Sequence, residues 1–411
     1  MAKVWVGMSG GVDSSVAAAL LVEQRHDVTG VYMKNWAEDL PGMHCPWADD
    51  VADAKRVAVG LGIDFQVVDF QAEYKQHVVE YMVREYQAGR TPNPDVMCNQ
   101  EMKFGVFWRA AMEAGVDVVA TGHYARVEHF DHTASPVTRS APRDIFLAEK
   151  SSRGAAPPRA TRSAATASCE VSGGPEKNLG NFMRDPDCFS DSSEQASAQL
   201  LRARDANKDQ TYFLYRVSGE ALGRTLFPLG DYTKDEVRRM AKDRGLWTAD
   251  KKESMGICFV GQVGIREFLS EYVETTPGDI IDRQTSQVVG QHDGAIFYTI
   301  GQRHGLNVGG GLPYYVVGKD MVKNEVYVSR SLDDERLWRT DIALVDEHWI
   351  NQPPGDGAQI RVRLRHRGAL IDAIYSAGTL QLASPERAVA PGQSAVVYDG
   401  EVCLGGGIVT G

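Results

Sequence analysis

Long apolar runs and closely spaced cysteines are both missing from this sequence of 411 residues. No stretch of about 18 uncharged apolar residues occurs, and the start lacks the charged and then apolar pattern of a secretory signal. We therefore expect no membrane span and a cytoplasmic protein. None of the cysteines forms the C-x-x-C pair of a zinc or thioredoxin site. Because they are few and scattered, we expect thiols rather than a disulfide framework at positions 45, 98, 169, 188, 258 and 403.

An excess of basic residues is also missing, since the formal net charge is -11 at pH 7. This balance excludes a generally basic coat for nucleic acid, because phosphate binding depends on lysine and arginine. A local exception is the segment 361–367, which has arginine at every second position. In a strand these arginines would all lie on one face and suit a polyanion. The pattern also fits an edge strand protected by charge, so the segment alone leaves both interpretations open.

The hydrophobic pattern near the amino terminus predicts an α/β domain. A chain of this length exceeds the size of one hydrophobic core, so we expect two or three domains. Short β-branched runs at 4–8, 28–33, 64–70 and 116–122 alternate with helical stretches, among them 49–61. This alternation predicts a parallel sheet with crossover helices, which would bind a nucleotide at the carboxyl ends of its strands.

The remaining chain divides into an insert and a β-rich part. Residues 151–175 consist mainly of Ser, Ala, Gly and Pro, so we expect a disordered insert over about 131–198, with a short strand at 146–149. A capping box beginning at Thr233 predicts a helix within 232–244. From 278 onward, alternating runs such as 295–300 and 314–320 predict β-barrel structure. The expected domains are 1–261, 262–340 and 341–411.

A candidate phosphate loop, SGGVDS at 9–14, follows the first predicted strand and opens a helix. Backbone N–H groups and the helix dipole converge on an anion at such a place, and glycines let it approach closely. The loop is neither the Walker G-x-x-x-x-G-K-[ST] nor the dinucleotide G-x-G-x-x-G, which argues against γ-phosphate transfer of the Walker kind. An ordinary turn could also contain these glycines, but the strand, turn and helix context favours the phosphate loop.

Two cysteines lie in contexts that favour chemistry. Cys98 follows two prolines, and we expect a helix to begin just after its thiol. A helix N-terminus and the charge of Lys103 would both favour the nucleophilic thiolate. Cys258 lies in a short apolar turn beside Gly256. Taken singly, each cysteine is more often a small buried hydrophobe than a nucleophile. Cys45 could be half of a metal site, but no second ligand pair accompanies it, so we predict no protein metal site.

Several strings, taken in order, resemble one enzyme family. SGGVDS resembles the pyrophosphate loop of the ATP pyrophosphatases, which adenylate an oxygen of their substrate and release pyrophosphate. Together with the strings at 93–104, 121–126, 208–215, 254–261 and 298–306, it makes nearly the whole chain outside the insert resemble the bacterial tRNA-specific 2-thiouridylase family. This resemblance implies an α/β fold. It would have a parallel-sheet, adenine nucleotide alpha hydrolase-like N-terminal domain, a small β-rich central domain and a C-terminal β-barrel.

The same resemblance implies the site residues. It makes Cys98 the nucleophile and Cys258 the persulfide carrier, and Asp95, three residues before the first thiol, is our candidate for proton transfer. The implied ATP site consists of Gly7, Met8, Ser9, Gly10, Gly11, Val12, Asp13, Ser14, Met33 and Gly122. Asp13 would help to hold Mg²⁺, and the two serines would bind phosphate oxygens. The implied tRNA contacts are Asn93, Pro94 and Asp95 at the target base, with Lys208, Asp209, Gln210, Arg363 and Leu364 elsewhere.

The implied reaction is thiolation of a wobble uridine. ATP converts the uridine 2-oxygen into an adenylate, persulfide sulfur from Cys258 replaces it, and Cys98 completes the exchange through a transient disulfide that a reductant reopens. The implied partners are glutamate, lysine and glutamine tRNAs and a cysteine desulfurase or sulfur-relay protein, and we expect a monomer. The family usually has an aromatic residue where this chain has Leu364. Stacking on a base is therefore not expected there, whereas arginine contacts to phosphate are.

Two other functions stay open on the residues alone. Another pyrophosphate-loop synthetase could adenylate a small carboxylate or carbonyl without needing a cysteine pair. A nonenzymatic tRNA-binding protein could keep a decayed loop, although the intact SGGVDS and both cysteine strings argue against decay. His123, beside the end of a predicted strand, is a secondary candidate for the nucleotide site.

Overall fold

The computed structural model describes residues 1–39, 47–129, 198–252, 265–309 and 312–411. Its strands are β1 (Lys3–Gly7), β2 (Asp27–Lys34), β3 (Asp64–Asp69), β4 (Val118–Thr121), β5 (Arg126–His129), β6 (Ala198–Leu201), β7 (Thr225–Leu226), β8 (Gly278–Asp282), β9 (Val288–His292), β10 (Tyr315–Asp320), β11 (Glu325–Ser329), β12 (Trp338–Trp349), β13 (Ala358–Arg363), β14 (Ile371–Ser376), β15 (Thr379–Arg387), β16 (Ser394–Asp399) and β17 (Val402–Val409). Its α-helices are α1 (Val12–Glu23), α2 (Trp47–Leu61), α3 (Gln71–Tyr74), α4 (Glu80–Gln87), α5 (Pro94–Met97), α6 (Phe107–Glu113), α7 (Thr211–Leu214), α8 (Gly219–Gly223), α9 (Lys234–Asp243) and α10 (Ile265–Ser270).

A five-stranded parallel sheet forms the amino-terminal part, in the order β3-β2-β1-β4-β7. The predicted strands and the predicted helix over 49–61 are confirmed as β1 to β4 and α2. From β1 the chain adds β2 and β3 on one side, and β4 lies on the other side. The strand order therefore reverses at β1, and in α/β sheets ligands bind beside the carboxyl ends of the strands at such a point.

Two helices pack together beside this edge of the sheet. Helix α1 is rich in alanine, and its small buried side chains let it lie close to its neighbours. One apolar cluster joins Val16 and Leu20 of α1 to Val237 and Ala241 of α9. The predicted capping box at Thr233 is confirmed, because its hydroxyl accepts from the Glu236 N–H while the Glu236 carboxylate accepts from the Thr233 N–H. The start of α9 is thereby fixed against α1.

The carboxyl-terminal part is a closed antiparallel barrel. Its six strands follow the order β12-β15-β14-β13-β16-β17, and β17 pairs again with β12. The hairpin of β5 and β6 adds to β17 through Leu200 and Leu201, so the sheet of the barrel continues into the preceding part of the chain. Between the two parts, a smaller sheet runs in the order β10-β11-β8-β9. The expected α/β class with a β-rich middle and a terminal barrel is confirmed.

Two local predictions are wrong. The run 295–300 was expected to alternate as a strand, but Ala295–Phe297 forms a 3₁₀ turn whose first two residues are both buried. It begins after Gly294, at φ 153°, and the Ala295 N–H donates to Asn324. The alternate arginines of 361–367 do not share a strand face, because β13 ends at Arg363 and the chain then turns.

Some predictions fall on residues outside the described ranges. They include residues 131–197 of the insert expected at about 131–198, with its expected strand at 146–149, together with Cys45, Cys169, Cys188 and Cys258, whereas Ala198 begins β6. Where the chain leaves β5 and returns in β6, His129 and Ala198 are register partners. Within the described ranges, no helix combines the length and apolar character needed to cross a membrane.

Candidate active site

The residues predicted to bind phosphate lie between β1 and α1, at the carboxyl edge of the parallel sheet. The Ser14 hydroxyl accepts from the Ser9 N–H at 3.2 Å, lies 3.3 Å from the Ser9 hydroxyl and donates to the Gly11 carbonyl at 3.2 Å. Gly11 is the N-cap residue of α1, and because it has no side chain, it does not cap the first N–H groups of the helix. These N–H groups and the two hydroxyls lie together in the arrangement expected of an anion-binding turn.

Two positions in and beside this turn have to be glycine, because backbone atoms of other segments lie very close to them. Gly10 has a φ of +71°, and a Cβ there would lie 2.4 Å from the Asp50 carbonyl oxygen at the start of α2. Gly122, just after β4, faces α1, and a Cβ there would lie 2.7 Å from the Ser14 nitrogen. Real Cβ atoms do not approach backbone so closely, so any larger residue would displace the turn.

The other predicted nucleotide residues surround the turn. Met8 and Val12 are buried below it. The Met33 methyl group, near the end of β2, lies 3.2 Å from the place where a Cβ of Gly7 would stand. These contacts bring the predicted ATP-site residues together at the carboxyl ends of β1, β2 and β4.

Asp13, in the first turn of α1, is held by two side chains. The Lys234 ammonium lies 2.7 and 2.8 Å from its two carboxylate oxygens, and the Tyr124 hydroxyl donates to one of them at 2.8 Å. The Asp13 side chain is about one-third exposed. Among the described residues, no three His, Cys, Asp or Glu side chains group as metal ligands.

Cys98 lies in a helix that begins earlier than predicted. Helix α5 starts at Pro94, the π-helical segment Cys98–Val106 follows directly, and α6 continues it. A proline in the first turn is pre-organised for a helix start, so the helix begins before the thiol and not after it. Cys98 is buried at 3% exposure against the core that includes Phe107 and Phe268. The helix dipole acts mainly within the first turn, so its effect at Cys98 is weaker than we expected.

A chain of polar side chains links the helix of Cys98 to the end of β4. The Lys103 ammonium lies 3.3 Å from His123 Nε2, and His123 Nδ1 lies 2.8 Å from the Thr121 hydroxyl. Since an ammonium only donates, His123 accepts at Nε2 and carries its proton on Nδ1. Burial, and then the charge of Lys103, lower the pKa of His123 well below 6.5. Burial raises the pKa of Asp95, and the charge of Lys103 partly opposes that rise.

The segment preceding Cys98 is anchored by the two β-rich parts of the chain. The Thr91 N–H donates to the Pro391 carbonyl at 2.8 Å, and the Gln393 amide donates to the carbonyls of Thr91 and Pro92 at 2.8 and 3.3 Å. The Thr91 hydroxyl lies 3.1 Å from that of Thr299. The predicted base-contacting residues Asn93, Pro94 and Asp95 follow at once, so their position depends on the barrel and the middle sheet.

The predicted tRNA-binding string KDQ is largely turned inward. The Asp209 side chain is fully buried and accepts from Arg202 at 3.2 Å, from Arg363 at 3.0 Å and from the Thr211 hydroxyl at 2.8 Å. The Gln210 side chain accepts from the Tyr124 N–H at 2.8 Å. Lys208 is half-buried. Asp209 therefore joins the amino-terminal part to the barrel through Arg363.

Arg363 and Leu364, the other predicted tRNA contacts, are both buried. The Arg363 side chain is 6% exposed, and its guanidinium also lies over the Tyr398 ring at 5.5 Å. The exposed arginines of the segment are Arg365 and Arg367. Between them, the ring of His366 lies 4.5 Å from the ring of Phe213, which follows the KDQ string.

The described chain ends on both sides of Cys258, which itself lies outside the described residues, at Lys252 and Ile265. On the amino side, Lys251 pairs with Asp50 at 2.8 Å and Asp53 at 2.6 Å, both in α2. On the carboxyl side, Phe268 of α10 belongs to the same apolar cluster as Cys98. Cys403, by contrast, is a buried barrel residue, and burial raises the pKa of its thiol.

Sequence reasoning missed Lys234 and Gln393. The capping box located the start of α9, but nothing in the sequence connects Lys234 with Asp13, because the two are 221 positions apart. Gln393 lies in a barrel turn, 302 positions from Thr91, and no motif marks it.

Comparison with known proteins gives matches over nearly the whole chain. Residues 2–145 and 180–262 match the family described as tRNA methyl transferase HUP domain. Residues 266–330 match the tRNA methyl transferase PRC-barrel domain, and residues 339–409 match the Aminomethyltransferase beta-barrel domain. The three matches follow the same order as the parallel sheet, the middle sheet and the closed barrel.

Full-length relatives carry one functional name. The chain is 39% identical to the tRNA-specific 2-thiouridylase MnmA 2 of Geobacillus kaustophilus, over 99% of this chain and 94% of that protein. It is 40% identical to the tRNA-specific 2-thiouridylase MnmA of Haemophilus ducreyi, over 99% and 92%. With the protein of that name from Bordetella petrii the identity is 41%, over 99% and 96%. A solved NMN synthetase from Francisella tularensis is similar over 29% of the chain, with a TM-score of 0.22, which is too low to carry an argument.

Proposed function

The chain belongs to the tRNA-specific 2-thiouridylase family, and on that premise we propose that it adenylates the 2-oxygen of a tRNA wobble uridine and replaces it with sulfur. Thiolation of tRNA uridine is the activity for which its relatives are named. The adenylation step and the relay through two cysteines are the finer parts of the proposal.

One observation supports joining ATP chemistry and thiol chemistry in a single site. Gly122 lies against Ser14 of the phosphate loop, and the next residue, His123, contacts Lys103 at 3.3 Å. Lys103 belongs to the helical segment that begins at Cys98. Gly122 and His123 thus connect the nucleotide turn to the helical segment that contains the candidate nucleophile.

The loop residues fit a nucleotide with its magnesium ion. Because Gly10 and Gly122 bring no side chains to the turn, its backbone N–H groups can approach phosphate oxygens closely. Magnesium in such sites is usually held by one or two carboxylates together with substrate phosphates, and Asp13 is the carboxylate in place for that role. We propose that Ser9 and Ser14 bind phosphate oxygens beside it.

The proposed reaction has two stages. In the first, the uridine 2-oxygen attacks the α-phosphorus of ATP, and pyrophosphate leaves with the electron pair of the broken P–O bond. In the second, the terminal sulfur of the Cys258 persulfide attacks carbon 2 and AMP leaves. The Cys98 thiolate then attacks the Cys258 sulfur, which breaks the S–S bond to the substrate and forms a Cys98–Cys258 disulfide. A cellular reductant reopens this disulfide.

Asp95 is the proposed proton-transfer residue. Its raised pKa lets the carboxyl group hold a proton nearer to neutral pH than an exposed aspartate does, which is what acid–base catalysis requires. The Lys103 charge opposes the rise, so the two residues together set the protonation of the site.

For tRNA binding we propose Lys208, Arg365 and Arg367 as phosphate contacts. Arg363 and Asp209 neutralise each other inside the protein and serve to position the surrounding loops. We further propose that Asn93 and Pro94 contact the target base and that Leu364, being buried, supports the arginine turn. A salt-dependent affinity is expected despite the acidic total charge.

The remaining parts of the proposal follow the family. The domains are 1–261, 262–340 and 341–411, the enzyme acts as a monomer in the cytoplasm, and the substrates are glutamate, lysine and glutamine tRNAs. A cysteine desulfurase or a sulfur-relay protein supplies the persulfide.

The test is mass spectrometry of 2-thiouridine in tRNA incubated with ATP, magnesium and a persulfide source. Thiolation should require ATP, should release AMP rather than ADP, and should be lost in Cys98→Ala and in Cys258→Ala. Cys169→Ala, which changes a cysteine of the insert, is the matched control and should keep full activity. AMP formation that proceeds without thiolation and is indifferent to both cysteines would instead support a pyrophosphate-loop synthetase of another kind.

A further inference from the structure

The phosphate loop contains no positive charge of its own. Residues 7–14 include no lysine, arginine or histidine, and the lysine of a Walker loop has no counterpart in them. Pyrophosphate leaves with additional negative charge, and enzymes of phosphate chemistry stabilise such charge with cations placed beforehand. A cation from another segment of the chain is therefore needed to stabilise part of the negative charge on pyrophosphate.

Among the described residues, Lys234 is a cation from a distant segment that the fold brings to this loop. Its ammonium lies 2.7 and 2.8 Å from the carboxylate oxygens of Asp13, the second residue of α1. The Lys234 side chain is 9% exposed and passes the Tyr124 ring at 5.8 Å. The ammonium thus lies beside the first turn of α1, where the N–H groups for phosphate are found.

The position of Lys234 is fixed by the structure around it. It is the first residue of α9, directly after the N-cap Thr233, and its N–H donates to Asp205 at 3.0 Å. The apolar contacts between α9 and α1 hold this helix start against the loop. A lysine serving only as a surface ion pair would not require such placement.

From this geometry we propose that Lys234 is a catalytic residue that binds the β- and γ-phosphates of ATP and stabilises the pyrophosphate as it leaves. The inference rests on the proposed adenylation and deepens it. Lys234 keeps its proton throughout and donates hydrogen bonds to phosphate oxygens, while the electron pair of the broken P–O bond stays on pyrophosphate. In the structure Asp13 holds the ammonium beside the loop; with ATP and magnesium bound, the ammonium donates to phosphate oxygens and the Asp13 carboxylate faces the magnesium ion.

The test compares three ligands that differ in whether they contain the pyrophosphate part. Binding of α,β-methylene-ATP, inorganic pyrophosphate and AMP, each with magnesium, is measured by titration calorimetry for the full chain and for Lys234→Met. One charge-assisted hydrogen bond corresponds to a loss of about 10- to 100-fold. We expect that loss for α,β-methylene-ATP and for pyrophosphate, and no change for AMP. Lys242→Met, on the same helix but paired with Asp250, should bind all three as the unchanged protein does.

The other outcomes are decisive as well. Equal weakening of AMP and α,β-methylene-ATP, or no weakening of either, would mean that Lys234 is only a structural partner of Asp13 and would overturn the inference. If the unchanged protein binds no ATP analogue at all, the proposed function itself fails. Should Lys234→Met not fold, the double variant Asp13→Asn/Lys234→Met is compared with Asp13→Asn. A further loss of about tenfold in pyrophosphate binding is then expected, and equal binding refutes the role.

Discussion

Removal of the Asp209 carboxylate should lower the stability of the fold, because this side chain makes ion pairs inside the protein rather than a direct contact with tRNA. This side chain is fully buried and accepts hydrogen bonds from Arg202 and Arg363. Asp209→Ala would leave the Arg363 guanidinium, which is 6% exposed, without a counter-ion. Breaking a buried pair by removing one partner typically costs about 3–5 kcal/mol. A globular domain has only about 5–15 kcal/mol in total, so the loss is a large part of its stability.

The assay is urea unfolding followed by circular dichroism and tryptophan fluorescence. Asp209→Ala should lower the urea midpoint strongly, and the added change Arg363→Met should recover a substantial part, because it removes the unpaired buried charge. Asp231→Ala is the matched control, since that carboxylate is 79% exposed and lies 4.0 Å from its arginine partner. It should change the stability by less than about 1 kcal/mol. A loss below about 1 kcal/mol for Asp209→Ala, or no recovery in the double variant, would refute the reasoning.

Further predictions concern the turn, the anchored loop, protonation and tRNA binding. Gly122→Ala should weaken ATP binding by at least about tenfold because its methyl group would meet the Ser14 nitrogen, whereas Gly60→Ala, with open space around it, should bind ATP normally in the same titration. Gln393→Ala should slow single-turnover thiolation by about tenfold with little change in urea midpoint, since it releases the carbonyls of the loop before Cys98. Because the pKa of His123 is lowered in the folded protein, the unfolded chain binds a proton at this histidine more readily. The contribution of His123 to the free energy of unfolding is therefore complete above pH 6.5 and falls below it, and His123→Asn should lose less stability between about pH 6.5 and 5. An unchanged dependence of stability on pH would contradict this. Arg365→Ala should reduce the slope of log affinity for tRNA against log salt by about one, and an unaltered slope would exclude a phosphate contact.

Local pattern was enough to predict the elements that carry the chemistry. Strands β1 to β4 are short β-branched runs, and the glycines of the loop indicate a turn that backbone segments approach closely. The capping box at Thr233 predicted the start of α9 from four adjacent residues. The strands show as short runs of one residue type and the helix start as a capping box of adjacent residues, so pattern reasoning finds both even where their packing partners are distant in sequence.

The failures share a different physical cause. The burial of Arg363 follows from a partner 154 positions away, and an alternating pattern of charges cannot reveal that one of its members is paired inside the protein. The helix of Cys98 begins at Pro94 because a proline in the first turn is favourable, whereas the sequence led us to expect the helix only after the thiol. Lys234 and Gln393 owe their roles to packing between distant segments.

The pairing of His129 with Ala198 bears on how this chain tolerates changes in length. The chain leaves β5 and re-enters at β6 at two register partners, so connections of different lengths can join these two ends without moving either strand. Each doubling of a flexible connection costs only about 0.6 kcal/mol. Evolution can therefore lengthen or shorten this segment at little thermodynamic cost. An experimenter can use the same place to attach a fluorophore or an affinity tag, or to replace residues 130–197 by a short turn for crystallisation.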